Sequence, residues 1–202
     1  MVCSVATSRT EQKIATQRYE QDQNLALDKQ REDLLQIYLD RMSELLLDKQ
    51  LRTSDPKDEV RYIARSRTLT VLSRLDANRK KSLLQFLHES DIINATTFSF
   101  VRLEDADLSN ADLSRAHLRN ARLNGSNLSG ADLSRAYLSN AHLTHADLSN
   151  ASLYGAIMAG ANLAGTIMAG ANLEFALNIT LEQLEKAKSL KGATMRDGSI
   201  HP

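Results

Sequence analysis

ADLSNADLSRAHLRNARLNGSNLSGADLSRAYLSNAHL, residues 106–143, places a leucine on every fifth residue and a small residue two positions before each one. An α-helix repeats at about 3.6 residues and a strand at two, so neither accounts for this beat. On a straight helix each step of five advances about 140° beyond a full turn, and the leucines spiral over every face. On a flat strand five is odd, so successive leucines point to opposite sides. A chain that extends for three residues and turns over two behaves differently. The small residue and the leucine then point the same way, and the residue between them points outward. If each corner is near a right angle, four repeats close a coil of twenty residues, and coils stack at the strand spacing of about 4.8 Å.

The beat extends well beyond this stretch. From Thr96 to Ala176 it marks sixteen repeats: Phe98, then leucine at 103 and every fifth position to 173, with Met158 and Met168 as the exceptions. The small partner is alanine in twelve of them, with Thr96, Val101, Ser126 and Thr166 as the others. Corner pairs such as Ser109-Asn110, Asn124-Gly125, Ser129-Gly130 and Ala159-Gly160 are built from residues that favour turns, and Gly and Asn tolerate positive φ. Each buried leucine is worth about 1.5–3 kcal/mol, enough for a stack of sixteen to offset the ordering of so regular a chain.

The pattern A(D/N)LSx, as in Ala106-Asp107-Leu108-Ser109-Asn110 and Ala131-Asp132-Leu133-Ser134-Arg135, resembles the pentapeptide-repeat family. The resemblance covers about 80 residues. It implies a right-handed quadrilateral β-helix with four repeats per coil, hence about four coils here. The fold class expected is therefore mainly β, with an N-terminal α-helical region over 1–95, the repeats over 96–177, and a C-terminal capping helix and tail over 178–202.

The flanks carry helical signals of their own. Leu34, Leu35, Tyr38, Met42, Leu45 and Leu46 recur at spacings of three and four, one face of a helix. Ser54-Asp55-Pro56 stops that helix and starts a second carrying Val60, Ile63, Ala64, Leu69, Val71 and Leu72. Asp76 caps a third with Leu83, Leu84, Phe86 and Leu87 on its apolar face. Thr180 and Gln183 read as a capping box before a short helix to Leu190, whose Leu184 and Ala187 can lie over the end of the coil. LQIYLDRMSELLLDK, EVRYIARSRTLTVLSRLD and RKKSLLQFLHESDII resemble the helical region that precedes the repeats in a common cyanobacterial group, and AKSLKGATMRDGS resembles its tail. Members of that group often carry membrane helices upstream. This chain has no apolar span before Thr10, so it reads as a soluble relative or one separated from its anchor.

Composition excludes several classes of function. Lys plus Arg equals Asp plus Glu at 25 each, so no global charge points to nucleic acid. The single cysteine, Cys3, excludes an internal disulfide framework and fits a reducing compartment. Ser, His and Asp are plentiful because the repeat requires them, so they mark no catalytic triad. No Gly-rich phosphate loop is present. His117, His142 and His145 invite a metal reading, but no cysteine or tight carboxylate cluster completes a ligand set. No catalytic residue, cofactor or metal is expected.

Stacking turns outward positions into columns twenty residues apart: Arg102, Arg122, His142, Asn162; Asp107, Asn127, Asp147, Ile167; Asp112, Asp132, Ser152, Asn172; and Thr97, His117, Tyr137, Ile157. The last coil loses its charges, and Ile157 and Ile167 leave a smooth apolar surface of the kind that marks a contact. The second helical region is basic, with eight cations from Lys57 to Lys81 against three acids. Arg61, Arg65 and Lys81 there suggest an anionic partner, with lipid headgroups ahead of nucleic acid. The candidate interaction surface is thus Ile157, Ile167, Arg102, Arg122, Arg61, Arg65 and Lys81. The function expected is a non-enzymatic scaffold binding a protein partner in the cytoplasm, with a peripheral membrane position as one version. The alternative is DNA mimicry of the gyrase-protecting type known in the family. Seven acids against five arginines over the coil make that mimicry weak.

Overall fold

The computed structural model describes residues 2–48, 51–55, 57–90 and 102–202. The expected first repeat (96–100), the start of the second (Val101) and Pro56 lie outside these.

Helix α1, Val2–Leu47, is longer than its apolar stripe. The stretch before Leu34 holds no glycine or proline and is rich in helix formers, so it continues the helix although residues 11–30 are exposed throughout. Leu35, Tyr38, Met42 and Leu45 are buried against α2, Glu59–Leu72, and α3, Ala77–Glu89. The Tyr38 hydroxyl and the Thr68 hydroxyl lie 2.8 Å apart inside that packing. Burial therefore pushes the Tyr38 phenol upward, against the opposing pull of Thr68. Asp76 caps α3 by accepting from the Arg79 amide. The Arg79 guanidinium in turn reaches Asp28 and Glu32 on α1, each at 2.8 Å.

From residue 102 the chain coils with a period of twenty. Parallel bridges pair Asp107 with Asn127, Asn127 with Asp147 and Asp147 with Ile167, and equivalent pairs follow on the other sides. The leucines from 103 to 173 and their alanine partners are almost fully buried, Ala116 being half-buried. Every fifth residue from Asp105 to Phe175 has positive φ, whether it is Asn, Gly, Arg or His. The following amide closes the turn, as where Ala111 N–H donates to the Leu108 carbonyl. A left-handed residue at the third position of such a turn is what a type II turn demands. Where an Asp or Asn precedes the leucine, it holds the same turn from outside: Asp107 accepts from the Ser109 amide and hydroxyl, and Asp112 from those of Ser114.

The expectation of a mainly β, right-handed quadrilateral β-helix is corrected. Among the described residues no β-strand and no sheet forms, and the regular secondary structure is helical. The turn at every fifth residue is the cause. It cuts the extended run so that each repeat forms one isolated parallel bridge, too short for a strand, although the Leu108 and Asn110 amides also donate to the Asn127 and Ser129 carbonyls of the next coil.

The C-terminal end also differs. Helix α4 is only Leu181–Glu185, and the capping box of Thr180 and Gln183 is present. The segment expected to be a tail instead resumes the coil. Ser189 bridges Ile167 and Thr194 bridges Asn172, so the register lengthens from twenty residues to twenty-two across α4. Ala193 is buried, and the chain then folds back so that Thr194 meets Ile200 in an antiparallel bridge.

Candidate functional site

Three of the basic residues of α2 and α3, Arg65, Lys80 and Lys81, face the protein's own coil. The Arg65 guanidinium donates to the Glu104 carbonyl at 2.9 Å and lies within 3.9 Å of the Glu104 and Asp105 carboxylates. Lys80 is buried, with its ammonium 3.1 Å from the Ser109 carbonyl and 3.5 Å from Asp107. Lys81 pairs with Asp112 at 2.6 Å. Arg61 is also buried and donates through Nε to the Ser54 hydroxyl at 2.9 Å and through Nη2 to the Ser54 carbonyl. Within the coil, Arg122 donates to Glu104 at 2.9 Å. Of the five candidate cations, Arg61, Arg65, Lys81 and Arg122 thus hold internal contacts, while Arg102 is exposed. Three of the eight cations of the basic run of residues 57–81, Arg65, Lys80 and Lys81, form a seam between the helical region and the first coil.

That seam tunes its acids. Burial works to raise the Asp107 carboxyl, but the Ser109 hydroxyl and amide, together with Lys80, outweigh it and hold the carboxyl below its usual range. At Asp112 burial is likewise outweighed, there by Lys81 and Ser114.

The outward face of His117, Tyr137, Ile157 and Leu177 is bridged in that order up the coil. It begins on α3, where the His88 ring stacks on His117 at 4.8 Å, and His117 stacks on Tyr137 at 4.7 Å, each pair inclined by 28°. Its far end is apolar. Ile157 is half-buried, Leu177 is 43% exposed and Phe175 is 55% exposed, with Tyr154 edge-on to Phe175 at 5.3 Å. Ile167 stands on a different face, in the column of Asp147 and Ser189, so the coil does not bring the two isoleucines together. Phe175, Leu177 and His88 went unread in the sequence. Leu177 lies twenty residues after Ile157, and that spacing was the available signal. Among the described residues no three histidine, cysteine or acidic side chains gather closely enough to hold a metal ion. His117, His142 and His145 are not brought together as ligands.

Residues 96–135 and 131–170 match the family model for pentapeptide repeats. Among solved structures, the chain is similar to a pentapeptide repeat protein, Rfr23, from the cyanobacterium Cyanothece 51142. That match has 45% identity over 38% of this chain and 52% of the other, with a TM-score of 0.38. It is similar also to a pentapeptide repeat protein of the Arabidopsis thaliana thylakoid lumen, at 31% identity over 50% of this chain and 68% of the other, with a TM-score of 0.43. A third is HetL of Nostoc, a pentapeptide repeat protein involved in heterocyst differentiation regulation. It shows 34% identity over 50% of this chain and 56% of the other, with a TM-score of 0.26. The chain thus spans about half the length of the first of these. No curated protein matches it.

Proposed function

The chain belongs to the pentapeptide-repeat family, and from that premise we propose that it is a non-enzymatic protein–protein interaction scaffold whose contact surface is the face of Tyr137, Ile157 and Leu177. The observation that carries this reading is the run of solvent-facing apolar side chains at the far end of that face. Tyr137, Leu177 and Phe175 are each more than a third exposed, Tyr137 and Leu177 bridge Ile157 on either side, and Phe175 lies two residues before Leu177 against Tyr154. A contiguous apolar patch on an otherwise polar surface is the usual mark of a contact.

The reading no longer draws on Arg61, Arg65 or Lys81, whose charges are engaged within the chain, and with them goes the argument for anionic lipid. Among the described residues no helix is long and apolar enough to cross a membrane. DNA mimicry gains nothing, because four of the coil's seven acids (Glu104, Asp105, Asp107 and Asp112) lie in ion pairs.

The test is capture of partners by the intact chain from an extract of its own cells, compared with the double variant Ile157→Lys, Leu177→Lys. The variant should keep its circular dichroism spectrum and lose the partners. A partner set unchanged in the variant overturns the assignment of this face.

A further inference from the structure

The same face is polarised along its length, and its cations are free. Arg115 and Arg119 stand two residues to either side of His117, and Arg135 stands two before Tyr137 one coil further on. All three arginines are exposed, and none has an ion pair among the described residues. The matching positions on the next coils are Gly155 beside Ile157 and Phe175 beside Leu177. One end of the face is therefore guanidinium and imidazole, and the other is aliphatic and aromatic. Three coil steps of about 4.8 Å separate the two ends, about 14 Å in all.

Among the acids near the cationic end, Asp112 is paired with Lys81. Glu89 accepts a hydrogen bond from the neutral Gln85 amide at 2.7 Å and keeps its charge, and Asp132 is exposed. Three arginines without ion pairs among the described residues therefore stand against two such carboxylates. Between α3 and the first coil, a cavity of about 410 Å³ opens beside Arg115 and His117, with His88, Leu84, Glu89 and the Lys81–Asp112 pair in its wall. The Arg135 stem packs beside the corner of the next coil, its Cγ 3.5 Å from where a side chain at Gly155 would begin, an ordinary van der Waals distance.

The geometry points to one class of occupant: a protein segment with a block of carboxylates next to a block of apolar side chains, laid along the coil with its acids over Arg115, Arg119 and Arg135. This rests on the scaffold reading above and names the chemistry of its partner. Unpaired arginines favour carboxylates because the planar guanidinium matches them in a two-pronged fork. A uniformly anionic ligand leaves Ile157, Leu177 and Phe175 uncovered. A purely apolar one leaves the arginines without partners, as complementary potentials govern which partner is accepted.

The experiment uses the full chain and a fluorescein-labelled peptide in which an acidic Glu block is joined to a Leu and Phe block, read by anisotropy at low and moderate salt. The comparators are a scrambled peptide of the same composition, duplex DNA, and vesicles of phosphatidylserine in phosphatidylcholine. The block peptide should bind more tightly than the scrambled one. Reversal of all three arginines to Glu should weaken it about tenfold, the sum of a few exposed pairs. Ile157→Lys with Leu177→Lys should weaken it independently, while Arg67→Glu with Arg74→Glu, distant exposed cations on the helices, should not. The inference is overturned if the scrambled peptide binds equally, if arginine reversal changes the affinity less than twofold, or if DNA or vesicles bind in preference. If arginine reversal is silent but Ile157→Lys with Leu177→Lys still loses the cellular partners, the acidic-partner assignment falls and the scaffold stands. If those partners survive Ile157→Lys with Leu177→Lys, the scaffold face itself falls.

Discussion

The ammonium of Lys80 on α3 lies 3.1 Å from the Ser109 carbonyl and 3.5 Å from the Asp107 carboxylate, and the Lys80 side chain is only 5% exposed. This one side chain joins the helical region to the coil by charge and by backbone contact. Lys80→Met keeps most of the volume but leaves the Ser109 carbonyl without this donor. Lys80→Glu adds repulsion against Asp107. The first should cost about 1 kcal/mol and the second about 2–3 kcal/mol. Urea titration followed by helix ellipticity measures both, and equal midpoints for the two variants would contradict a charged seam.

The seam also sets a response to acid. The Asp107 and Asp112 carboxyls sit below the ordinary value of 3.8 in the folded chain. Because the folded values are the lower ones, their contribution is full above the unfolded value and is lost as pH falls through the folded values. The melting temperature should therefore be flat near neutrality and fall below about pH 4. In Asp107→Asn with Asp112→Asn the neutral-pH melting temperature should be lower and the acid slope shallower. An unchanged slope would place the acid sensitivity elsewhere, with Asp76 the next candidate, since its carboxyl is also held low by Arg79 against the effect of burial.

The stacked core gives a separate expectation. Leu133 is fully buried, and its neighbours Asp132 and Ser152 bridge successive coils. Leu133→Ala should cost about 2–5 kcal/mol, because a narrow stack held by backbone bonds on every side has little room to collapse. Leu133→Asp, which places a carboxylate where no polar partner exists, should prevent folding. A melting temperature within a degree or two of the parent for either variant would exclude the stack.

How much of this was legible in the chain depends on which interactions are local. The inward set at Ala106, Leu108, Ala111 and Leu113 was readable because burial imposes its own period on nearby residues. So was the Thr180 capping box, which spans four residues, Thr180 to Gln183. The lack of strands was not readable. Whether one residue or several bridge to the next coil depends on partners twenty positions away. The basic run at 57–81 was visible as charge, but Glu104, Asp107 and Asp112, the acids that Arg65, Lys80 and Lys81 meet, lie 27 to 39 residues on, so these three cations read as free surface when they form a seam. The last repeats were hidden by the two extra residues that α4 introduces. Leu190 and Met195 keep the spacing of five, and Ala193 keeps the small position, but the register had moved.

The corners offer a test of backbone strain. Gly170 has φ of +67°, and a Cβ placed there would lie 2.4 Å from the Asn150 side-chain oxygen one coil below. Gly170→Ala therefore meets both the left-handed penalty of about 1–2 kcal/mol and a steric conflict. Asn150→Gly removes the conflict and leaves the penalty. The double variant should accordingly be more stable than the two single costs added together, and thermal melts of the four proteins close the cycle. Strict additivity would mean that Asn150 simply swings aside.

The final prediction concerns the open end of the coil. Gln183 on α4 donates to the Met158 and Ala161 carbonyls at 3.0 and 2.8 Å, satisfying acceptors that the next coil would otherwise take. Beyond α4 the Gly165, Met168, Gly170 and Leu173 amides donate to carbonyls from Lys186 to Thr194. The end is thus covered in two parts, by a helix on one side and by resumed repeats on the other. Removing residues 187–202 should strip the second part and expose the backbone of residues 168–173 as an unpaired edge, the feature that draws chains into edge-to-edge association. Met195→Asp should act more gently, since Met195 is only partly buried and the strip can stay bonded through its backbone. Sedimentation of the truncated chain should show association rising with concentration, while Met195→Asp stays at the parent's size with a lower melting temperature. If the truncated chain keeps the parent's size and stability, α4 alone suffices as the cap, and the resumed repeats serve another purpose.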